Sequence, residues 1–232
     1  GVSIAELVLP DGTKVMLDRE MDRALEEGVR NSGDTLNYTE VASGGVQDSC
    51  EIYHTLRVPR GGEYTLVLAD GTTVYLNAES ELRFPKQFRG KNRKVYLTGE
   101  GYFDVQRNEK QPFIVEAQQV EIRVLGTSFG VRAYTKEENV LTTLIQGRVN
   151  VEADGQQVEL NPGQQADFNR GNDRLTVAEV DVEQYVGWKD GRLVFDNKPL
   201  EFILEELGRW YSFDVFYTNK ELKEIPYSLN IK

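Results

Sequence analysis

The chain has 232 residues, enough for one large β domain or two smaller ones, and 39% of them are apolar and 10% aromatic, which supports a sizeable core. A net charge of −11, with no basic stripe, argues against nucleic-acid binding because phosphate backbones are repelled. No stretch approaches the ~20 apolar residues that span a bilayer, no signal-peptide pattern opens the chain, and a single cysteine, Cys50, allows no internal disulfide.

Residues 7–18 read Leu-Val-Leu-Pro-Asp-Gly-Thr-Lys-Val-Met-Leu-Asp, and residues 66–77 repeat the pattern as Leu-Val-Leu-Ala-Asp-Gly-Thr-Thr-Val-Tyr-Leu-Asn. Each has apolar runs on both sides of Asp-Gly. That is a strong hairpin signal, because a type I′ turn needs positive φ at both central residues. A two-residue turn sets Val8 opposite Val15 and Val67 opposite Val74. One hairpin alone is marginal in water, so the pair predicts sheets that bury each other. Residues 19–27 are charged, with Met21, Ala24 and Leu25 at helical spacing. They read either as a short surface helix or as a solvated loop. Residues 31–34 and 42–49 are turn-rich, and residues 35–38 and 51–58 read as strands.

Residues 58–186 continue as short strands separated by turn signals. Segments 94–98 and 102–105 flank Gly99-Glu100-Gly101, and 113–117 follows Pro112. In 119–125, Val120, Ile122 and Val124 share one face while Glu121 and Arg123 take the other, the pattern of a half-buried strand. Further strands fall at 129–134, 140–145, 149–151, 158–160, 166–168 and 175–180. Spacings of ~8–12 residues without helices between them indicate an antiparallel sandwich or barrel, with a jelly-roll-like sandwich preferred.

The pattern changes near Tyr185. Residues 192–195 read as a strand, and Pro199 opens a helix with Asp196 and Asn197 as capping groups. Leu200, Ile203, Leu204, Leu207, Trp210 and Tyr211 form one apolar helical face, with Glu201, Glu205, Glu206 and Arg209 directed elsewhere. Strands at 213–217 and 227–231 complete a β-α-β-β unit. It is too short to fold alone, so it docks on the sandwich or is completed by elements beyond Lys232. An open edge of its sheet would accept a partner strand.

Chemistry-bearing motifs are sparse. Gly126-Thr-Ser-Phe-Gly130 fits the G-x-S-x-G nucleophile elbow, but that elbow needs a strand before it and a helix after it. Strands are expected on both sides here, so the segment reads as a turn or bulge. A serine hydrolase would require His54 to reach Ser128. One histidine and one cysteine do not make a usual zinc site, and no metal or cofactor is expected. Gly99-Glu100-Gly101 and Arg60-Gly61-Gly62 lack the context of a phosphate cradle and read as bends. No pair among the 38 acidic residues is singled out for glycoside chemistry.

Several blocks in order resemble the FecR family. Val58-Pro-Arg-Gly-Gly-Glu-Tyr and Leu68-Ala-Asp-Gly-Thr-Thr-Val-Tyr-Leu-Asn-Ala are similar to the opening of the FecR domain. Gly99-Glu-Gly-Tyr-Phe-Asp-Val, Pro112-Phe-Ile-Val, Val124-Leu-Gly-Thr-Ser-Phe-Gly-Val and Ile145-Gln-Gly-Arg-Val continue the likeness, and Leu160-Asn-Pro-Gly-Gln-Gln-Ala closes it. The run with Trp188, Phe195-Asp196, Pro199-Leu200 and Arg209-Trp-Tyr211 is similar to the C-terminal domain of Bacteroidetes-type members. The resemblance implies an anti-sigma factor or sigma regulator of the inner membrane, without catalysis. It implies that this chain is the periplasmic sensor region, contacting the signalling domain of a TonB-dependent outer-membrane transporter. The sigma-binding domain and the membrane helix of such proteins would lie outside this sequence.

The expectation is therefore mainly β: an antiparallel, jelly-roll-like sandwich followed by a small β-α-β-β unit. Residues 1–57 contribute a hairpin and strands to the sandwich, 58–186 form the FecR-like domain and 187–232 the C-terminal unit. Phe213, Val215, Tyr217 and Tyr227 are the expected partner-binding residues. The alternative is a carbohydrate-binding sandwich, which predicts a line of exposed aromatic residues on one sheet face.

Overall fold

The computed structural model describes residues 4–41 and 51–231. The strands are β1 (Ala5–Val8), β2 (Lys14–Leu17), β3 (Asp22–Glu26), β4 (Val29–Ser32), β5 (Thr35–Asn37), β6 (Tyr53–Val58), β7 (Tyr64–Val67), β8 (Thr73–Leu76), β9 (Ser80–Pro85) and β10 (Arg93–Asp104). They continue with β11 (Phe113–Ala117), β12 (Val120–Val124), β13 (Ser128–Ala133), β14 (Asn139–Gln146), β15 (Val149–Ala153), β16 (Gln156–Leu160), β17 (Gln164–Asn169) and β18 (Arg174–Glu179). A helical turn α1 (Glu183–Val186) and a 3-10 turn (Gly187–Asp190) lead to β19 (Leu193–Pro199), helix α2 (Leu200–Tyr211), a second 3-10 turn (Lys220–Glu224) and β20 (Pro226–Ile231).

Two large sheets share one strand. The first runs β2-β1-β6-β9-β10-β11-β12-β15-β16. The second runs β3-β4-β5-β7-β8-β10-β13-β14-β17-β18. The pairings β5–β7 and β10–β11 are parallel and the rest antiparallel. Leu7, Leu56 and Leu82 of the first sheet and Leu36, Leu66 and Val74 of the second belong to one buried core. The alternation expected for β12 is present: Val120, Ile122 and Val124 are buried, and Glu121 and Arg123 are not.

The segments 94–98 and 102–105, expected as separate strands, form the single strand β10. Its first half pairs with β9 and β11, its second with β8 and β13. The crossing is at Gly99, where φ is +95° and a Cβ would lie 2.7 Å from Ser80 Cα. Only glycine satisfies both the left-handed backbone and the close approach.

Both Asp-Gly hairpins exist, but their register differs by one residue from that of a two-residue turn. Leu7 faces Val15 and Val8 faces Lys14; Leu66 faces Val74 and Val67 faces Thr73. In each loop the third residue's N–H donates back to the residue before the loop, Gly12 to Leu9 O and Gly71 to Leu68 O, both at 2.9 Å. The glycines hold φ of +86° and +84°. This is the three-residue hairpin with a glycine bulge, and Asp11 and Asp70 lock it by accepting from the N–H groups of Thr13 and Thr72.

Residues 19–27 are neither helix nor loop throughout. Asp22–Glu26 forms β3 and pairs with β4, the turn being made at Gly28, where a Cβ would lie 2.5 Å from Val41 Cα. Cross-strand pairing outweighed the weak helical spacing of Met21, Ala24 and Leu25. The turn-rich reading of 31–34 likewise gives way to the end of β4 and a tight turn into β5. Cys50 and residues 42–49 lie outside the described residues.

Candidate functional site

The C-terminal unit sits on the outer face of the second sheet. Along β13, Val131 and Ala133 point into the core, which turns Gly130 and Arg132 outward. Tyr102 of β10 joins Val186, Trp188, Leu193, Phe195 and Ile203 in a second buried apolar cluster, with Tyr75, Ile145, Phe202, Leu207 and Trp210 packed around it. A Cβ on Gly130 would lie 2.8 Å from Val186 Cγ1. The second glycine of the Gly126-to-Gly130 motif therefore admits the linker helix, which is a packing role.

Beside this cluster lies a buried ionic network. Arg132 donates to Glu206 of α2 through both terminal nitrogens, Nη1–Oε2 at 2.9 Å and Nη2–Oε1 at 2.7 Å. It also donates to Glu137, Nε–Oε2 at 2.8 Å and Nη2–Oε1 at 2.7 Å, and its Nη1 lies 3.5 Å from Glu100 Oε2. Arg209, one helical turn beyond Glu206, donates to Glu206, to Glu137 at 3.1 Å and to Glu79 at 3.2 Å. The Tyr134 ring lies under both guanidinium groups, 5.0 Å from Arg132 and 4.0 Å from Arg209. Arg60, on the β6–β7 loop, closes the far end: it donates to Asp214 and to the carbonyl of Phe213, each at 2.8 Å. Gly61 N–H donates to Arg209 O at 2.7 Å.

Burial raises the Glu100 carboxyl to about 7, with Arg132 opposing and Glu206 reinforcing the shift; Asn77 Nδ2 donates to it at 2.8 Å. Burial would also raise Glu206, but the attraction and hydrogen bonds of Arg132 and Arg209 outweigh it and hold that carboxyl low. Two neighbouring acids are thus driven apart, one kept ionised and one near neutrality.

The network refines the sequence-based reading of α2, in which Glu206 and Arg209 lie off the apolar helical face. The helix is present, but Glu206 is buried with Ile203 and Gly208, whereas Tyr211 of the expected apolar face is 60% exposed. Besides Arg209 on its own helix, the ion partner of Glu206 is Arg132, 74 positions away. A charged position on a sheet face gives no local sign of being covered, which is why the contact was missed. The expected caps differ too: the helix starts directly after Pro199 with no side-chain cap, and Asp196 instead accepts from Ser228 Oγ.

The expected strand at 213–217 is also absent. The chain leaves α2 at Ser212 in a left-handed conformation, Phe213 and Asp214 are engaged by Arg60, and no described strand pairs with the segment. Phe213 is exposed; Val215 and Tyr217 are half-buried, the Tyr217 ring 4.7 Å from Lys223 Nζ. Phe216, not anticipated, is 92% exposed. Tyr227 is exposed on β20, whose single ladder partner among the described residues is β19.

Ser128 Oγ donates to Asp104 Oδ1 at 2.8 Å, and Ser128 is the first residue of β13, without the helix an elbow requires. His54 is buried elsewhere: its Nδ1 lies 2.7 Å from Tyr38 Oη and its Nε2 3.4 Å from Glu26. The structure does not assemble a Ser–His pair from these residues. Nor does it show a line of exposed aromatics on a sandwich face: the well-exposed aromatic rings are Tyr211, Phe213, Phe216 and Tyr227, all in the C-terminal unit.

Residues 54–150 match the family described as FecR protein, and residues 192–232 match FecR, C-terminal. The chain resembles a crystal structure, at 1.65 Å, of a candidate anti-sigma factor from Parabacteroides distasonis ATCC 8503. Identity is 29% with a TM-score of 0.72, over 76% of this chain and 84% of that one. A second crystal structure of a candidate anti-sigma factor from that organism, at 2.50 Å, gives 32% identity and a TM-score of 0.67, over 70% and 76%.

The chain belongs to the FecR family. Membership makes it a sigma regulator, and FecR-family anti-sigma factors are membrane-associated. No helix among the described residues is long and apolar enough to cross a membrane. No curated protein matches the chain significantly. The two matched regions of this FecR-family chain meet at the junction: Arg132 lies in the first and Glu206 in the second.

Proposed function

We propose that the chain is the periplasmic sensor region of a transmembrane sigma regulator, relaying a signal from the signalling domain of a TonB-dependent outer-membrane transporter. Contact is made by the C-terminal unit. The observation that carries this reading is the free edge of β20. That strand pairs on one side only among the described residues, and Tyr227 and Leu229 on it are each 41% exposed. Phe213 and Phe216 add further exposed apolar surface to the same unit, with Val215 and Tyr217 beside them. An unpaired strand edge carrying the exposed Tyr227 and Leu229 suits addition of a partner strand, whose backbone supplies hydrogen bonds.

The junction supplies a route inward. Arg60 holds Phe213 and Asp214, Gly61 holds Arg209, and Arg209 shares Glu206 with Arg132 of the sandwich. A partner that favours one placement of the C-terminal unit therefore shifts the equilibrium of this network, and through it the sandwich. The experiment is capture of the chain by the isolated signalling domain of a TonB-dependent transporter from the same organism. Tyr227→Asp and Leu229→Asp, both at exposed positions, should abolish capture without changing the fold. Undiminished capture by both variants would move the contact away from β20.

A further inference from the structure

The junction encloses a cavity of about 410 Å³ that the ionic network and the apolar cluster do not fill. Its volume is within the range of small-molecule sites. One wall is the outer face of β14 and β17, carrying Asn139, Gln165 and Asp167. The facing wall is aromatic: Tyr185 and Trp188 from the linker and Phe202 from α2. Gln165 is buried and anchored by donating to Thr143 Oγ1 at 2.8 Å, and Asn139 donates to Asp167 Oδ1 at 2.7 Å. The polar wall is therefore fixed before anything enters.

Charge narrows the class of ligand. Glu100, Glu137 and Glu206 are engaged by Arg132, and Arg192 by Glu183 and Asp190. Lys198 lies 5.8 Å from the centroids of both the Tyr185 and the Phe202 rings, and Glu138 and Glu205 also line the cavity. The lining holds six acidic residues against Arg132, Arg192 and Lys198, so it disfavours an anionic ligand. Amides and a carboxylate opposite aromatic rings match a molecule with hydroxyl groups around its rim and an apolar C–H face.

We infer that the cavity between β14–β17 and the β19–α2 unit binds a neutral sugar ring, packed against Tyr185 in the place of the Lys198 ammonium and hydrogen-bonded by Asp167, Gln165 and Asn139. The rings are inside the junction and not on a sheet face, so a sugar held there would touch both parts of the protein at once. The inference is independent of the relay proposed above, because binding is read on the chain alone.

The test is titration of the full chain with glucose, galactose, mannose, xylose, N-acetylglucosamine, maltose and cellobiose, followed by calorimetry and saturation-transfer NMR. At least one should bind saturably with a Kd of about 1 mM or tighter, a free energy of about −4 kcal/mol. Asp167→Ala, on the half-buried outer face of β17, and Tyr185→Ala should each weaken it tenfold or more. Tyr227→Ala, outside the cavity, should leave it unchanged. Absence of saturable binding by every sugar in the panel, or equal binding by wild type and both cavity variants, would overturn the inference. Glucosamine and glucuronate are titrated alongside as charged controls, and saturable binding of these alone would overturn it too.

Discussion

Arg132 of β13 and Glu206 of α2 meet in a two-pronged ion pair at 2.9 and 2.7 Å, both side chains being almost completely removed from solvent. The pair joins the two regions that the FecR family models match separately. Charges buried at an interface are costly unless paired, so this contact discriminates strongly between a docked and an undocked C-terminal unit. Removing Glu206 leaves Arg132 with only part of its compensation, from Glu137 and Glu100. Glu206→Leu is expected to destabilise docking by about 3 kcal/mol, the lower part of the usual range because Arg132 retains Glu137. The chain's two tryptophans, Trp188 and Trp210, both lie in the junction cluster. Their emission should shift to the red in Glu206→Leu while far-ultraviolet circular dichroism keeps its β signature.

Glu100 makes the junction respond to pH. Burial, reinforced by Glu206, raises its carboxyl to about 7, whereas a solvated glutamate titrates near the ordinary value of 4.5. The docked state therefore binds this proton more tightly. Docking strengthens as pH falls from above 7 towards 4.5 and gains nothing further below that. Glu206, held low, opposes this only below its own ordinary range. Buried His54, whose pKa is lowered by desolvation, destabilises the sandwich as pH falls through about 6.5. The junction must consequently be followed by tryptophan emission and not by global melting. Glu100→Gln should flatten the pH dependence of that emission between pH 4.5 and 7 relative to wild type.

Gly99 marks the passage of β10 from one sheet to the other. Its φ of +95° and the 2.7 Å approach of a Cβ to Ser80 Cα leave no room for alanine. Gly99→Ala should lower stability by about 2–4 kcal/mol, measured by urea unfolding at neutral pH. Gly12→Ala is the control: its φ is +86° but no atom lies within 4 Å of a Cβ there. Its cost should be about 1 kcal/mol, backbone strain alone.

Ser128 donates its hydroxyl to Asp104, and the only histidine is occupied by Tyr38 and Glu26. A fluorophosphonate probe should leave Ser128 unlabelled. Ser128→Ala should change stability by about 1 kcal/mol or less, the value of one exposed hydrogen bond.

Much of the fold was legible because it depends on local pattern. The alternation in β12 and the paired Asp-Gly segments identify strands and hairpins from neighbours a few positions apart. The register of those hairpins was not legible. Two- and three-residue loops share the Asp-Gly signal, and the deciding bond, from Gly12 or Gly71 back to the leucine before the loop, forms only in three dimensions. The strand β3 was obscured because its charged sequence has no strong period and is fixed by pairing with β4. The candidate site was the least legible part. Arg132 and Glu206 each occupy positions that periodicity assigns to solvent, and only the docking of two distant segments buries them. Phe216 was missed because the segment after α2 forms no ladder that would impose alternation.

The central claim is that the free edge of β20 receives the signalling domain of a TonB-dependent transporter. Hydrogen–deuterium exchange on the full chain, with and without that isolated domain, tests it most directly. The account expects new protection at the amides of Tyr227 to Ile231, together with altered exchange around Arg60 and Arg209. Protection confined to the sandwich, or complex formation with β20 exchanging as in the free chain, would contradict it.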